Sequence, residues 1–217
     1  MKVLHYAPYM TIDHITSHNR NKTGFGYMVI DIAAETTRFN IQVDAITTSC
    51  FTSGFEYRKI NFIKRNWYSL VTNFKLNYFL RSIYNIKVDK PSLKMVLRYF
   101  LYHITTGFIK KILIKNEYDL IHIHGIGPAT QPMIDLCEIL NQKYLVTLHG
   151  LNSFSDSVNA SNIVKEYERN LLRKAFKENT PITVISTGIK NTITNFLNAK
   201  EATNVKVVSN GCDTTSL

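Results

Sequence analysis

The sequence predicts an α/β protein built on a doubly wound, mainly parallel sheet of six to seven strands. Short β-branched runs alternate along the chain with helical patterns of about 10 to 15 residues. Hydrophobic residues make up 45% of the 217 residues and charged residues 19%, which is typical of a chain that folds around a core. No internal repeat or Gly/Ser-rich linker interrupts the pattern, so a single domain over residues 1–217 is predicted.

The first part of the chain predicts a strand, a loop and a helix. Val3–Tyr6 is a short apolar run bounded by Pro8, as expected of a strand. A polar loop follows over residues 9–23, and a helical pattern then begins at the turn Gly24-Phe25-Gly26. Ile41–Thr47 is rich in β-branched residues and predicts the second strand.

Residues 58–115 form a basic and aromatic block. The block holds 13 Lys and Arg against one acid, Asp89, whereas the remaining residues hold 13 bases and 15 acids. The block therefore carries all of the excess positive charge in a chain of net charge +10, together with 11 of the 25 aromatic residues. Clustered charge of this kind indicates what the protein binds rather than how it folds.

The same block predicts a helical insertion at about 66–115. Ile60–Ile63 indicates a short strand before the insertion, and Pro91 separates two helical patterns within it. Apolar residues recur at helical spacing in the two patterns, at Leu76, Phe79, Leu80 and Ile83 and at Val96, Phe100, Ile104 and Phe108.

Strands and helices alternate regularly in the second half of the chain. The predicted strands are Asp119–His124, Tyr144–Leu148, Ile182–Ile185 and Val205–Val208, and the predicted helices are Pro128–Asn141, Ile163–Lys177 and Thr187–Leu197. Strands that alternate with helices in this way pair in parallel through right-handed crossovers.

Polar or glycine residues follow five of the predicted strands. In an open α/β sheet, ligands bind beyond the carboxyl ends of the strands, and parallel strands bring those ends to one edge. The five strand ends are Tyr9 to Gly26, His124-Gly125, His149 to Asn152, Ser186 to Gly188, and Asn210-Gly211. The candidate ligand-binding residues at these ends are Tyr9, His124, His149, Gly150, Asn152, Ser186 and Asn210.

The turn Gly24-Phe25-Gly26 predicts a phosphate site. It lies at a helix start, where exposed amides and the positive end of the helix dipole suit an anion. A nicotinamide dinucleotide is less favoured, because its fingerprint requires a third glycine where this chain has Val29. A flexible loop that simply opens a helix is the structural alternative.

Three histidines lie near the predicted strand ends. His122 and His124 share a face of one strand, and His149 follows the next strand. No carboxylate or cysteine stands at a fitting position beside them, so we expect no metal. We expect His122 to be a hydrogen-bonded core histidine, and His124 and His149 to face ligand. The sequence shows no Ser-His-Asp or Cys-His arrangement and no carboxylate pair of the kind that hydrolases use.

The cysteines and the hydropathy predict a cytoplasmic protein with reduced thiols. Cys50, Cys137 and Cys212 are odd in number and far apart, and none belongs to a C-x-x-C pair. No stretch reaches the ~18 apolar residues of a spanning helix, and residues 1–10 lack the features of a signal peptide.

The basic block allows three interpretations: a solvated face of two packed helices, a nucleic-acid site, or a surface that lies on anionic lipid. No helix-turn-helix, zinc or RNA-recognition signature supports nucleic acid. We favour lipid, because basic residues would meet head groups while aromatic and aliphatic residues enter the interface. The residues expected to face the membrane are Trp67, Lys75, Arg81, Lys87 and Arg98.

Several of these motifs occur in an order that resembles a known family. They are Lys2 to Tyr6, the turn Gly24 to Gly26, Asp119 to Gly125, Val146 to Gly150, Thr183 to Ser186, and Val205 to Asp213. Together they resemble the N-terminal domain of glycosyltransferase family 4, over almost the whole chain except 58–115. His149-Gly150 and the ending Asn210-Gly211-Cys212-Asp213 are the most specific pair.

The resemblance implies a Rossmann-like three-layer sandwich, one of the two facing domains of the GT-B fold. Enzymes of this family take a sugar from a nucleotide-sugar co-substrate, without another cofactor, and retain its anomeric configuration. By this resemblance Gly24 to Gly26 lie near the donor diphosphate and His149 contacts the donor sugar. The N-terminal domain mainly binds the acceptor, so the loop 9–23 and the basic insertion are acceptor candidates. With its basic block, the chain points to a glycan or lipid-linked acceptor at the inner face of the plasma membrane.

The chain departs from the family pattern in three places. Its glycine turn is Gly-Phe-Gly rather than an adjacent pair, and Ser209 and Cys212 stand where the family has Pro and Val. The C-terminal domain, which carries the nucleotide pocket and a Glu-x7-Glu element, is absent from these residues, so we expect this part alone to be inactive. The alternatives are a non-catalytic module that binds an acceptor or partner, and a nucleotide-cofactor oxidoreductase.

Overall fold

The fold centres on one eight-stranded sheet with helices on both faces. The computed structural model describes residues 1–19, 22–48, 50–80, 83, 92–151, 153–154, 162–198 and 203–209. The strands are β1 (Lys2–Ala7), β2 (Gln42–Thr47), β3 (Phe55–Tyr57), β4 (Ile60–Phe62), β5 (Leu120–His124), β6 (Tyr144–Leu148), β7 (Ile182–Val184) and β8 (Val205–Val207). The helices are α1 (Gly24–Thr37), α2 (Trp67–Thr72), α3 (Leu93–Asn116), α4 (Gln131–Ile139), α5 (Asn162–Lys177) and α6 (Thr187–Phe196), with further helical residues at 76–80.

The strand order is β3-β4-β2-β1-β5-β6-β7-β8, and every neighbouring pair is parallel except β3 with β4. This order confirms the predicted doubly wound, mainly parallel sheet. The chain starts in the middle at β1, runs outwards to one edge, and then crosses to the other side of β1 at β5. Ligand crevices in such sheets form where the winding direction changes, which here is between β1 and β5.

The eighth strand, β3, is absent from the sequence prediction. It pairs antiparallel with β4 through a two-residue turn at Arg58 and Lys59, whose φ angles are 50° and 63°. Turns with two positive φ values normally use Asn or Gly, so nothing in these two residues signals a hairpin. Stacking of Phe55 on Phe62, with ring centroids 4.5 Å apart, supplies cross-strand contact instead.

The first helix of the predicted insertion is broken in two. α2 ends at Thr72, because its C-cap Asn73 has a φ of −112° outside the helical range, and a new helical run begins at residue 76. Within this run Tyr78 is buried whereas Leu76 and Leu80 are exposed, which differs from the predicted apolar face. Pro91, the predicted separator, lies outside the described residues, and α3 begins just after it.

Two apolar cores lie on opposite faces of the sheet. One packs side chains of β1 and β5 to β8 against α3, α4, α5 and α6. The other packs β1, β2 and β4 against α1. The parallel register places His5, His122 and His124 on this second face, which we call the α1 face. The α1 face of the sheet therefore carries these three histidines in addition to the apolar residues that pack against α1.

Gly107 gives a first testable prediction, because α3 packs directly on the end of α2 at this residue. A Cβ at Gly107 would lie 2.0 Å from the carbonyl oxygen of Asn73, which is backbone and cannot rotate away. Gly107→Ala should therefore lower the free energy of unfolding by ~1–3 kcal/mol in urea titrations. Gly188→Ala in α6 is the control, since its Cβ would meet nothing closer than 3.7 Å. Equal stability of the two variants would contradict the close packing of α2 on α3.

Candidate functional site

Parallel pairing brings the predicted strand ends to one edge of the sheet. His124 ends β5 and His149 directly follows β6, so the two histidines lie side by side. The first turn of α1 reaches the same point, because the Phe25 and His149 rings lie nearly perpendicular with centroids 5.1 Å apart. The structure therefore joins the predicted glycine turn and the predicted histidine in one place.

Three histidines form a hydrogen-bonded row that ends at this edge. His5 Nδ1 lies 3.0 Å from His124 Nε2, and His124 Nδ1 lies 3.0 Å from His149 Nε2. His149 Nδ1 in turn lies 3.0 Å from the sulfur of Met28 in α1. We call His5, His124 and His149 the histidine row. His5 and His124 are fully buried, and His149 is partly exposed at the end of the row.

Burial keeps these imidazoles neutral at pH 7. Loss of hydration lowers the pKa of His5 and of His124 well below 6.5, and neighbouring histidines lower both further. The pKa of His149 is lowered to about 4, also by burial. His149 therefore acts as a neutral hydrogen-bonding group at this edge and not as a cation.

His122 belongs to a separate polar network on the same face. Its Nε2 lies 2.6 Å from Thr147 Oγ1, which lies 2.6 Å from Thr183 Oγ1. Burial lowers the pKa of His122 to about 4. His122 is thus hydrogen-bonded, as predicted, although it is half-buried rather than fully in the core.

His5, His122 and His124 are also the residues that could hold a metal. Each offers one ring nitrogen, and these atoms lie within 4.8 Å of one another. Histidine is a common ligand of zinc and copper. However, both nitrogens of His124 are within hydrogen-bonding distance of other histidines, so a metal would have to break the histidine row. The absence of a metal stays a prediction.

The glycine turn opens α1 beside His149. Thr23 caps the helix by accepting a hydrogen bond from the Gly26 amide, and Gly26 packs so closely on Thr11 that a Cβ would lie 2.1 Å from its side chain. Gly24 has open space around it. The amides of Gly24 and Phe25 have no acceptor among the described residues, so they are the two that an anion could engage.

Tyr9, in the loop after β1, lies near Tyr102 of α3 in the basic insertion. Burial raises the pKa of Tyr102 in α3, and Tyr9 and Arg98 are its charged or ionisable neighbours. This proximity links the loop after β1 to α3. Arg65, although part of the basic block, is buried and donates to the carbonyl oxygens of Thr48 and Cys50. It therefore does not contribute to the basic surface.

The remaining predicted residues are placed as follows. Gly150 is exposed, with open space where a Cβ would lie. Ser186 is exposed and caps α6, accepting a hydrogen bond from the Ile189 amide. Trp67, Lys75 and Arg98 are exposed. Asn152, Asn210, Arg81 and Lys87 lie outside the described residues.

Two expectations from the sequence need correction. His124 does not face ligand, because it is fully buried with another histidine at each ring nitrogen. A Cys-His pair does exist, since Cys50 Sγ lies 3.8 Å and 3.7 Å from the two ring nitrogens of His18. The sulfur is nearly equidistant from both nitrogens and in line with neither, and burial lowers the pKa of His18 to about 4. This geometry does not activate a thiol.

Sequence reasoning missed His5 and Met28. His5 lies in the alternating pattern of β1, but only the register with β5 places it opposite His122. Met28 lies in the second turn of α1, and nothing in the sequence indicates that its sulfur would approach His149.

Comparison with known proteins adds two findings. The model of glycosyltransferase family 4 matches residues 23–216. Among solved structures, sucrose-phosphate synthase from Thermosynechococcus elongatus is similar, with a TM-score of 0.65 and 12% sequence identity, over 98% of this chain and 49% of that chain. The chain thus spans about half the length of that structure, and at this identity the likeness shows the fold alone. No curated protein sequence matches the chain.

Proposed function

Because the chain belongs to glycosyltransferase family 4, we propose that it is the N-terminal, acceptor-side half of a retaining glycosyltransferase. The whole enzyme would move a hexose from a nucleotide sugar to a glycan or lipid-linked acceptor of the cell-surface polysaccharide type. The observation that carries this proposal is the contact of His149 with the first turn of α1 at the edge where the parallel strands end. A sugar held at His149 would have its phosphate next to a helix N-terminus.

The two groups at this edge suit different parts of a nucleotide sugar. The amides of Gly24 and Phe25 can donate hydrogen bonds to the negative charge that grows on the diphosphate as it leaves, and the positive end of the helix dipole lies there as well. The neutral His149 can donate a hydrogen bond to the sugar. Tyr9 lies near Tyr102 of α3 and would meet the acceptor.

This proposal requires a second domain that supplies the other wall of the cleft. The test is the reading frame that encodes the chain. We expect it to continue past Leu217 into a second α/β domain with a nucleotide pocket and a Glu-x7-Glu element. A frame that stops at Leu217 would instead favour a non-catalytic module that binds an acceptor or a partner.

We further propose that the basic insertion rests on an anionic membrane surface at the cytoplasmic side. No helix in the described part of the chain is long and apolar enough to span a bilayer. Among the described residues, nine of the sixteen exposed large apolar side chains lie between residues 67 and 101. Leu93, Leu97 and Leu101 follow one another at four-residue spacing, so they share one helix face, and the exposed Arg98 lies on the same helix.

Vesicle sedimentation tests this surface. We expect the chain to sediment with vesicles that contain phosphatidylglycerol, to do so at least ~10-fold less with pure phosphatidylcholine, and to be released by high salt, because each basic residue near an anionic surface adds about 1 kcal/mol. Tyr68→Glu should weaken this sedimentation. Phe39→Glu is the matched control, since Phe39 is 76% exposed and Tyr68 is 77% exposed but Phe39 follows α1 at the opposite edge of the sheet.

The outcome separates the interpretations of the block. Loss of binding in Tyr68→Glu alone supports the lipid surface. Absence of sedimentation at low salt, or equal losses in both variants, would leave a solvated face.

A further inference from the structure

The histidine row has two ends, and both are unusual. One end is the contact of His149 Nδ1 with the Met28 sulfur. The other end is His5 Nε2, which is fully buried and has no hydrogen-bond partner in the part of the chain that the structure describes. An unpartnered buried nitrogen is rare, so its protonation state needs an explanation.

The chemistry of the two ends fixes the proton on every ring in between. A neutral imidazole donates from one nitrogen and accepts at the other, whereas a thioether sulfur can only accept. Nδ1 of His149 must therefore donate to Met28, which leaves its Nε2 as the acceptor. His124 then donates from Nδ1 to His149, and His5 donates from Nδ1 to His124. The last nitrogen, His5 Nε2, therefore carries no proton and presents only a lone pair.

The reverse arrangement is unfavourable at both ends. It would place the lone pair of His149 Nδ1 against the lone pairs of the Met28 sulfur. It would also leave a buried N–H group on His5 Nε2 without an acceptor, which costs desolvation without compensation.

We propose that His5, His124 and Met28 are positioning residues that hold His149 as its Nδ1–H tautomer, ready to donate a hydrogen bond at the cleft. This inference rests on the proposed function for the identity of the ligand. The Met28 sulfur is a weak acceptor for the His149 Nδ1–H group. A sugar hydroxyl oxygen takes its place as the acceptor when the nucleotide sugar binds. The site therefore selects an oxygen acceptor at this point and disfavours a ligand that presents an N–H group.

The tautomers can be measured without any substrate. Long-range ¹H–¹⁵N correlation spectra of the ¹⁵N-labelled chain at neutral pH distinguish protonated from bare ring nitrogens. We expect His5, His124 and His149 each to show a protonated Nδ1 and a bare Nε2, in at least ~10-fold excess over the other tautomer, since an unsatisfied buried N–H is costly.

Two substitutions of the middle residue separate a positioning role from a merely structural one. His124→Asn keeps an N–H donor near the place of His124 Nδ1, so His149 should keep its Nδ1–H tautomer. His124→Leu removes that donor, and the tautomer excess at His149 should fall by about tenfold. His122→Gln is the control on the same face: the His122 ring stacks on His124 with centroids 4.2 Å apart but hydrogen-bonds to Thr147, so the variant disturbs packing and should leave the His149 tautomer unchanged.

A protonated Nε2 on His149 in the wild-type chain would overturn the proposal, and so would equal tautomer ratios in His124→Asn and His124→Leu. Loss of the Nδ1 protons on adding Zn²⁺ would also overturn it, because the cluster would then be a metal site. None of these results depends on sugar transfer. If His149 has the Nδ1–H tautomer but the protein has no transferase activity, the proposed function is contradicted and the proposal about the histidine row is not.

Discussion

Replacement of His149 by alanine in the two-domain enzyme that we propose is expected to lower kcat about 100-fold, which is the usual cost of removing one preorganised donor from a reacting centre. His149 is the residue that the row presents at the strand edge next to the start of α1. Its effect should fall on kcat more than on KM, because His149 orients the sugar for transfer and a misplaced reacting group slows the chemical step. Steady-state kinetics with the native donor and acceptor would measure it.

His149→Asn is the matched control for this loss. An asparagine amide can donate from about the position of Nδ1, so this variant should recover at least ~10-fold of the lost turnover. His149→Ala also removes the acceptor of the buried His124 N–H and should lower the free energy of unfolding by about 1–3 kcal/mol, so turnover is compared under conditions in which urea titration shows each variant to be folded. Wild-type turnover in His149→Ala would remove the assigned role.

Acid should destabilise the chain steeply between about pH 6.5 and pH 4. Burial lowers the pKa of His18, His122 and His149 to about 4, and that of His5 and His124 well below 6.5. Between the folded and unfolded pKa values the unfolded chain binds more protons, so stability rises with pH and is lost as the pH falls. Each such histidine adds up to about 1.4 kcal/mol per pH unit to the slope. Urea unfolding at several pH values measures this slope.

A single substitution measures how much one histidine contributes to the pH dependence of stability. His122→Gln keeps a side-chain amide for Thr147 but removes one titrating ring, so the slope should fall by about 1.4 kcal/mol per pH unit near the middle of the window. His14→Gln is the control, because His14 is exposed. A flat stability profile from pH 6.5 to pH 4 would show that the buried histidines are hydrated or already paired with acids.

The architecture was predictable because it depends on patterns that are local in sequence. Seven strands and their parallel pairing follow from β-branched runs that alternate with helices. β3 was not predictable, since its turn uses Arg58 and Lys59 in a conformation that favours other residues. The break at Asn73 was missed for a similar reason, because neither proline nor glycine marks it.

Only the residues at the solvent-facing end of the candidate site could be predicted from the sequence. His149 and the glycine turn stand at the ends of elements, where sequence position alone implies exposure to ligand. The interior of the site depends on strand register and on side-chain direction, which the sequence does not reveal. For this reason His124 was expected to face ligand, whereas the structure buries it between His5 and His149.

The most direct test of the central claim is the sugar product made by the protein of the complete reading frame. A panel of nucleotide hexoses would be offered together with membrane lipid extract, with nucleoside diphosphate release as the readout and NMR of the anomeric centre of the product. The account predicts release that depends on His149 and a product with the donor's anomeric configuration. A folded two-domain protein that consumes no nucleotide sugar, or one that inverts the anomeric centre, would contradict it.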